Sequence, residues 1–212
     1  MNIKFIIACL ITLLGSHAAW ANTSWLVTVD TSTITGQTGS LDFQFNPADF
    51  SAPGATATLS SFTSNGFLLP SATATGAVIG SLGSTLVLGN SQFFNDWLQG
   101  FTFGSTLSFN LDLDIPVSNT SGSGTAFSLS LYDSSFNNLL ADPIWGAALV
   151  VNTNDNGSSD ILAQSPEVGL TAAVTAVPEP QSLYLFLIGF GLIGLKYRKS
   201  RIPIICIDFK GK

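Results

Sequence analysis

Between Phe101 and Ile115 the chain alternates apolar and polar residues. Phe109, Leu111, Leu113 and Ile115 project to one side, and Asn110, Asp112 and Asp114 to the other. A period of two puts one face in a core and the other in water only if the segment is an extended strand. The same pattern recurs along the chain. It predicts strands at Trp25 to Asp30, Ser40 to Phe45, Ala55 to Phe62, Thr85 to Leu88, Ala126 to Tyr132, Trp145 to Asn152 and Leu170 to Val174. Turn-forming pairs separate them, among them Thr35-Gly36, Pro53-Gly54, Asn65-Gly66 and Asn156-Gly157. The one helical expectation is Asn90 to Leu98. Eight short strands with a single apolar face predict an all-β fold, an antiparallel β-sandwich of jelly-roll type.

Composition then removes whole classes of function. From Asn22 to Val177 there are eleven acidic residues and no Lys, Arg, His, Cys or Met. A Ser-His-Asp triad needs a histidine, and the only one in the chain, His17, lies upstream of this region. Phosphate and nucleic-acid recognition need cations to replace counterions, so no nucleic-acid partner is expected. With no cysteine the domain folds without disulfides, which a region of this length can do on its hydrophobic core. The reading is non-enzymatic, with no required cofactor.

The first 21 residues have the build of an export signal. Lys4 gives a positive start, Phe5 to Gly15 is an apolar run, and Ala19-Trp20-Ala21 is a small-x-small peptidase site. Eleven residues span only ~16 Å as a helix, too short for a bilayer core of ~30 Å. Signal peptidase is therefore an expected partner, cutting after Ala21 with Ala19 and Ala21 as its recognition residues.

The other end has three parts in order. Pro178-Glu179-Pro180 is followed by the apolar run Leu183 to Leu195, and then by Lys196, Arg198, Lys199 and Arg201. The prolines keep the chain extended. The run reads as a transmembrane helix, 183–195, and the basic cluster stops it on the cytoplasmic side. Together these parts resemble the PEP-CTERM protein-sorting signal. The resemblance implies a Gram-negative bacterium that makes exopolysaccharide, transient anchoring in the inner membrane, and an exosortase that recognises Pro178, Glu179 and Pro180. It implies delivery to the cell surface or extracellular matrix. The expected organisation is a signal peptide at 1–21, an extracytoplasmic sandwich at 22–176, a sorting signal at 177–201 and an atypical extension at 202–212. Leu41 to Pro47, Phe101 to Leu113 and Phe127 to Leu140 also resemble a recurrent β-rich group of exported PEP-CTERM proteins with no assigned activity.

Several constellations inside the domain bear on chemistry. Asp112 and Asp114 share one face of a strand ~7 Å apart, a separation that two glycosidase carboxylates use; a solvated strand face is the leading account of them, since no cation is available to tune the pair. Asn152 to Asp160 is rich in oxygen, with Asn152, Asn154, Asp155, Asn156 and Asp160 around Gly157. It partly resembles a calcium loop, but it lacks the closing bidentate Glu, and a hairpin turn also accounts for Asn-Gly. Trp97, beside Asn95 and Asp96, is the first candidate for an exposed glycan-stacking ring, with Tyr132 and Asp133 second. The leading expectation is a surface or matrix protein associated with exopolysaccharide. The alternatives are a carbohydrate-binding module and a carboxylate-only glycan hydrolase.

Overall fold

The alternating segments form strands whose apolar sides meet in one core. In a computed structural model, residues 21–115, 124–154 and 156–172 are described. The strands are β1 (Ala21–Asp30), β2 (Thr38–Pro47), β3 (Thr56–Ser64), β4 (Phe67–Thr75), β5 (Val78–Gly80), β6 (Leu86–Gly89) and β7 (Asp96–Thr102). They continue with β8 (Thr106–Ile115), β9 (Thr125–Asp133), β10 (Asn138–Leu139), β11 (Leu149–Thr153), β12 (Ser159–Gln164) and β13 (Val168–Ala172). The signal segment before Ala21, the sorting tail, the extension and Asp155 lie outside the described residues. Among the described residues no helix is long and apolar enough to cross a membrane.

The strands make two antiparallel sheets. One runs β13-β1-β8-β3-β6-β5. The other runs β12-β11-β9-β2-β7-β4, with β10 beside β9. The order β1-β8-β3-β6 set against β2-β7-β4 is the winding of a jelly roll. The expected fold class holds. Phe43 of β2 and Phe109 of β8 meet edge to face across the sandwich, ring centres 5.5 Å apart. Leu41, Phe45, Leu111, Leu113, Phe127 and Leu129 are fully buried around them.

Four local expectations need correction. The segment Asn90 to Leu98 is not a helix: residues 90–95 form a loop and β7 starts at Asp96. Its apolar residues have helical spacing, but the side chains of Asn90 and Asn95 bond backbone groups of the 48–55 loop and of β2 and hold the loop extended. The long strand Phe101 to Ile115 is broken at 103–105, and its two halves lie in different sheets. The alternation survives the crossing because Phe101 and Phe103, 5.3 Å apart, still face the shared core. Trp145 stands in a turn, and its strand begins at Leu149. The last strand, β13, starts two residues earlier than the pattern predicts, and residues 173–174 of the expected strand lie outside the described residues.

Strands β4, β5, β10 and β12 have no counterpart in the sequence reading. β4 is exposed almost throughout, so no apolar face marks it. At Gly39 in β2 the neighbouring strand comes so close that any Cβ would collide with the Tyr132 carbonyl. Only glycine allows β2 and β9 to pair there.

Candidate functional site

The central strands β2 and β9 pair with Gln44 opposite Ser128, Asp42 opposite Ser130, and Ser40 opposite Tyr132. Because Leu41, Phe43 and Phe45 point into the core, the residues between them form the outer face of the sheet. There Asn46 donates from its side-chain amide to Gln44 Oε1 at 3.0 Å, and Gln44 donates from Nε2 to Asp42 Oδ2 at 2.7 Å. This row of amides is the floor of an open cleft of about 450 Å³, lined also by Ser128, Ser130, Tyr132, Asn138 and Trp145.

One wall of the cleft is a short loop that presents Trp145. Asp142 organises it: Oδ1 accepts from the backbone N–H groups of Ile144 at 2.9 Å and Trp145 at 3.0 Å. The Asp142 carbonyl accepts from Gly146, which adopts φ 69°, where glycine avoids the Cβ clash. The loop is thereby fixed while the indole of Trp145 stays 51% exposed. Tyr132 stands on the same side and packs on Phe136, ring centres 5.9 Å apart. The cleft lining contains no ionised side chain. It combines neutral donors and acceptors with aromatic faces, a surface suited to an uncharged polyhydroxylated ligand.

Beside the cleft floor is a strained electrostatic spot. Asp42 is 6% exposed and Asp96 9% exposed, and one carboxylate oxygen of each is buried with no partner among the described residues. Burial pushes the Asp42 carboxyl up to about 6; the Gln44 hydrogen bond opposes this and the Asp96 charge adds to it. The unfolded chain releases this proton near 3.8. The group therefore favours the fold fully below that value, and its contribution is lost as pH rises through about 6. The cost at pH 8 is about 3 kcal/mol. Asp42→Asn removes the charge and keeps the shape. The variant is expected to melt several degrees above the parent at pH 8 and level with it at pH 4; equal melting at both would contradict the assignment.

Trp97, the first glycan candidate, is half-buried. It pairs with Phe43 across β2 and β7, packs on the core, and buries its indole N–H with no partner among the described residues. Its neighbours Asn95 and Asp96 are buried too. The exposed ring is that of Trp145. Tyr132 does line the cleft. Asp133 instead closes the next turn, accepting from the backbone of Ser135 and from both nitrogens of Asn137, whose bonds hold its carboxyl below the usual range.

Asp112 and Asp114 lie on the outer face of the other sheet. Their cross-strand neighbours there are Ser24 and Asn22 on β1 and Thr58 and Thr56 on β3, and Ser24 donates to Asp112. The oxygen-rich segment is the β11–β12 hairpin. Asn154 donates from its side chain to Asp160 at 2.8 Å and to Ser158 at 2.9 Å, and Asn152 donates to Asn154. Asn156 accepts from the Ser158 backbone, and Gly157 has φ 82°. Among the described residues no group of three or more His, Cys, Asp or Glu side chains is gathered in metal-binding proximity.

The remaining functional element lies beyond the sandwich. Residues 176–201 match the family model described as the PEP-CTERM protein-sorting motif. The chain carries a PEP-CTERM sorting motif. The match contains Pro178, Glu179, Pro180 and the basic residues Lys196, Arg198, Lys199 and Arg201. A PEP-CTERM motif implies an exported protein, sorted to the cell surface and processed by an exosortase. No curated protein and no solved structure matches the chain.

Proposed function

We propose that this PEP-CTERM protein is a non-enzymatic component of the cell surface or matrix, and that its sandwich binds exopolysaccharide through the outer face of the seven-stranded sheet. One observation carries the reading: a rigidly held, half-exposed Trp145 beside a floor of neutral amides and hydroxyls. Sugar rings offer apolar faces for stacking and hydroxyls for the amides. An acidic domain without cations favours neutral glycans over polyanionic ones.

The test is affinity electrophoresis of the protein through gels containing the host's own polysaccharide. The parent is expected to be retarded. Trp145→Ala should weaken binding about tenfold, the equivalent of ~1.4 kcal/mol. Trp97→Ala, which removes a core-facing ring, should lower stability instead. Loss of binding in Trp97→Ala with none in Trp145→Ala would move the site back to β7. Glycan turnover abolished by Asp112→Asn or Asp114→Asn would replace this reading with the hydrolase.

A further inference from the structure

The end of the sandwich at which β1 begins carries the loops 48–55 and 90–95. Three phenylalanines project from them: Phe50 is 82% exposed, Phe93 61% and Phe94 48%. Phe50 and Phe93 pack against each other with their rings tilted by 45° and ring centres 5.8 Å apart, so the two loops form one aromatic tip.

Both loops are stapled to the fold. Asn90 donates to the Pro53 carbonyl and to Thr125, and accepts from the Ala55 N–H. Fully buried Asn95 donates from its side chain to the carbonyls of Phe45 and Gln92, and accepts from the Ala77 N–H. Large rings held in water by buried hydrogen bonds mark a contact surface.

The chain's own course says what the surface meets. β13 runs antiparallel to β1, with Ala172 beside Trp25, and so heads toward the same end as the aromatic tip. From the β13 edge to β3 and β6 is three to four strand spacings, ~14–19 Å. Ten residues separate Ala172 from the apolar run at Leu183, a tether of at most ~40 Å. A domain on such a leash meets the bilayer at an effective concentration of order millimolar. Weak apolar contacts then suffice.

We infer that the Phe50–Phe93–Phe94 tip rests in the lipid interface while the sorting tail still holds the chain at the membrane. The partner is a neutral lipid surface. The domain has eleven acids and no base, so anionic headgroups repel it and insertion is apolar. This contact would hold the segment after Ala172 close to the bilayer, where a membrane peptidase works. The inference rests on the anchoring role of the sorting motif and is independent of glycan binding.

The test uses the full chain reconstituted in phosphatidylcholine vesicles, with and without brominated acyl chains. Flotation reports anchoring. Phe93→Trp and Phe50→Trp place an indole at the tip, and Phe136→Trp places one at the opposite end, where Phe136 is 63% exposed. After subtraction of the parent's emission, both tip indoles should lose most of their added signal to bromine, and the Phe136→Trp indole should keep it. Equal quenching at the two ends, or none, overturns the inference while flotation still upholds the anchor. A blue shift without bromine quenching places a second protein copy on the tip and also overturns it. Failure to float removes the anchor and the inference together.

Discussion

Phe43→Ala is expected to lower the unfolding free energy by about 3–5 kcal/mol, a large part of the ~5–15 kcal/mol of an ordinary domain. Phe43 is fully buried at the middle of β2, between β9 and β7, and its ring meets Phe109 of the opposite sheet at 84°. The substitution therefore opens a cavity where the two sheets are joined and removes an edge-to-face pair worth ~0.5–1.5 kcal/mol beyond its area. Nothing covalent offsets the loss, since no cysteine lies between Asn22 and Val177. Urea denaturation measures it: the midpoint should fall sharply with the slope unchanged. A loss below about 1 kcal/mol would mean that the sheets are not packed through this pair.

Asn95→Ala is expected to follow closely, at about 3 kcal/mol or more. The side chain is fully buried, and its removal leaves the carbonyls of Phe45 and Gln92 and the N–H of Ala77 without their partner. Each orphaned group costs ~1–3 kcal/mol. The loss should be local before it is global. Hydrogen exchange at the Ala77 amide should speed up at denaturant concentrations where β2 and β9 remain protected. If exchange rises uniformly across both sheets, Asn95 is a general core residue and not the staple of the 90–95 loop. Serine at this position cannot rescue the fold, because one short hydroxyl does not span three backbone partners.

Much of the fold is legible in residue parity. From Leu107 to Ile115 every odd residue is buried and every even one is not, as the alternation requires. Leu41 to Phe45 and Phe127 to Leu131 also bury every odd residue, with Asp42 and Ser130 as buried exceptions among the even ones. The polar floor of the cleft was legible in the same way, because Gln44, Asn46, Ser128 and Ser130 are the residues left between buried ones. The sorting tail was legible for a different reason: its recognition rests on a short contiguous string that needs no fold around it. β4 was not legible, because it packs little of either face and carries no contrast. Nor was the break at 103–105, because both sheets bury their odd residues in one core. The loop at 90–95 reads as a helix because the spacing of Phe93, Phe94, Trp97 and Leu98 is helical, while the competing bonds of Asn90 and Asn95 come from Pro53, Ala55, Phe45 and Ala77, far away in sequence.

The sequence by itself thus determined that the chain is an exported all-β protein with a sorting motif, and which side of each strongly alternating strand faces inward. Only the tertiary structure decided which tryptophan is presented: Trp97 turns to the core opposite Phe43, and Trp145 stands over residues of β2 about a hundred positions earlier. The reason is the range of the forces involved. Alternation and motif are properties of neighbouring residues, whereas a cleft or an aromatic tip exists only where strand pairing closes distant segments onto one surface.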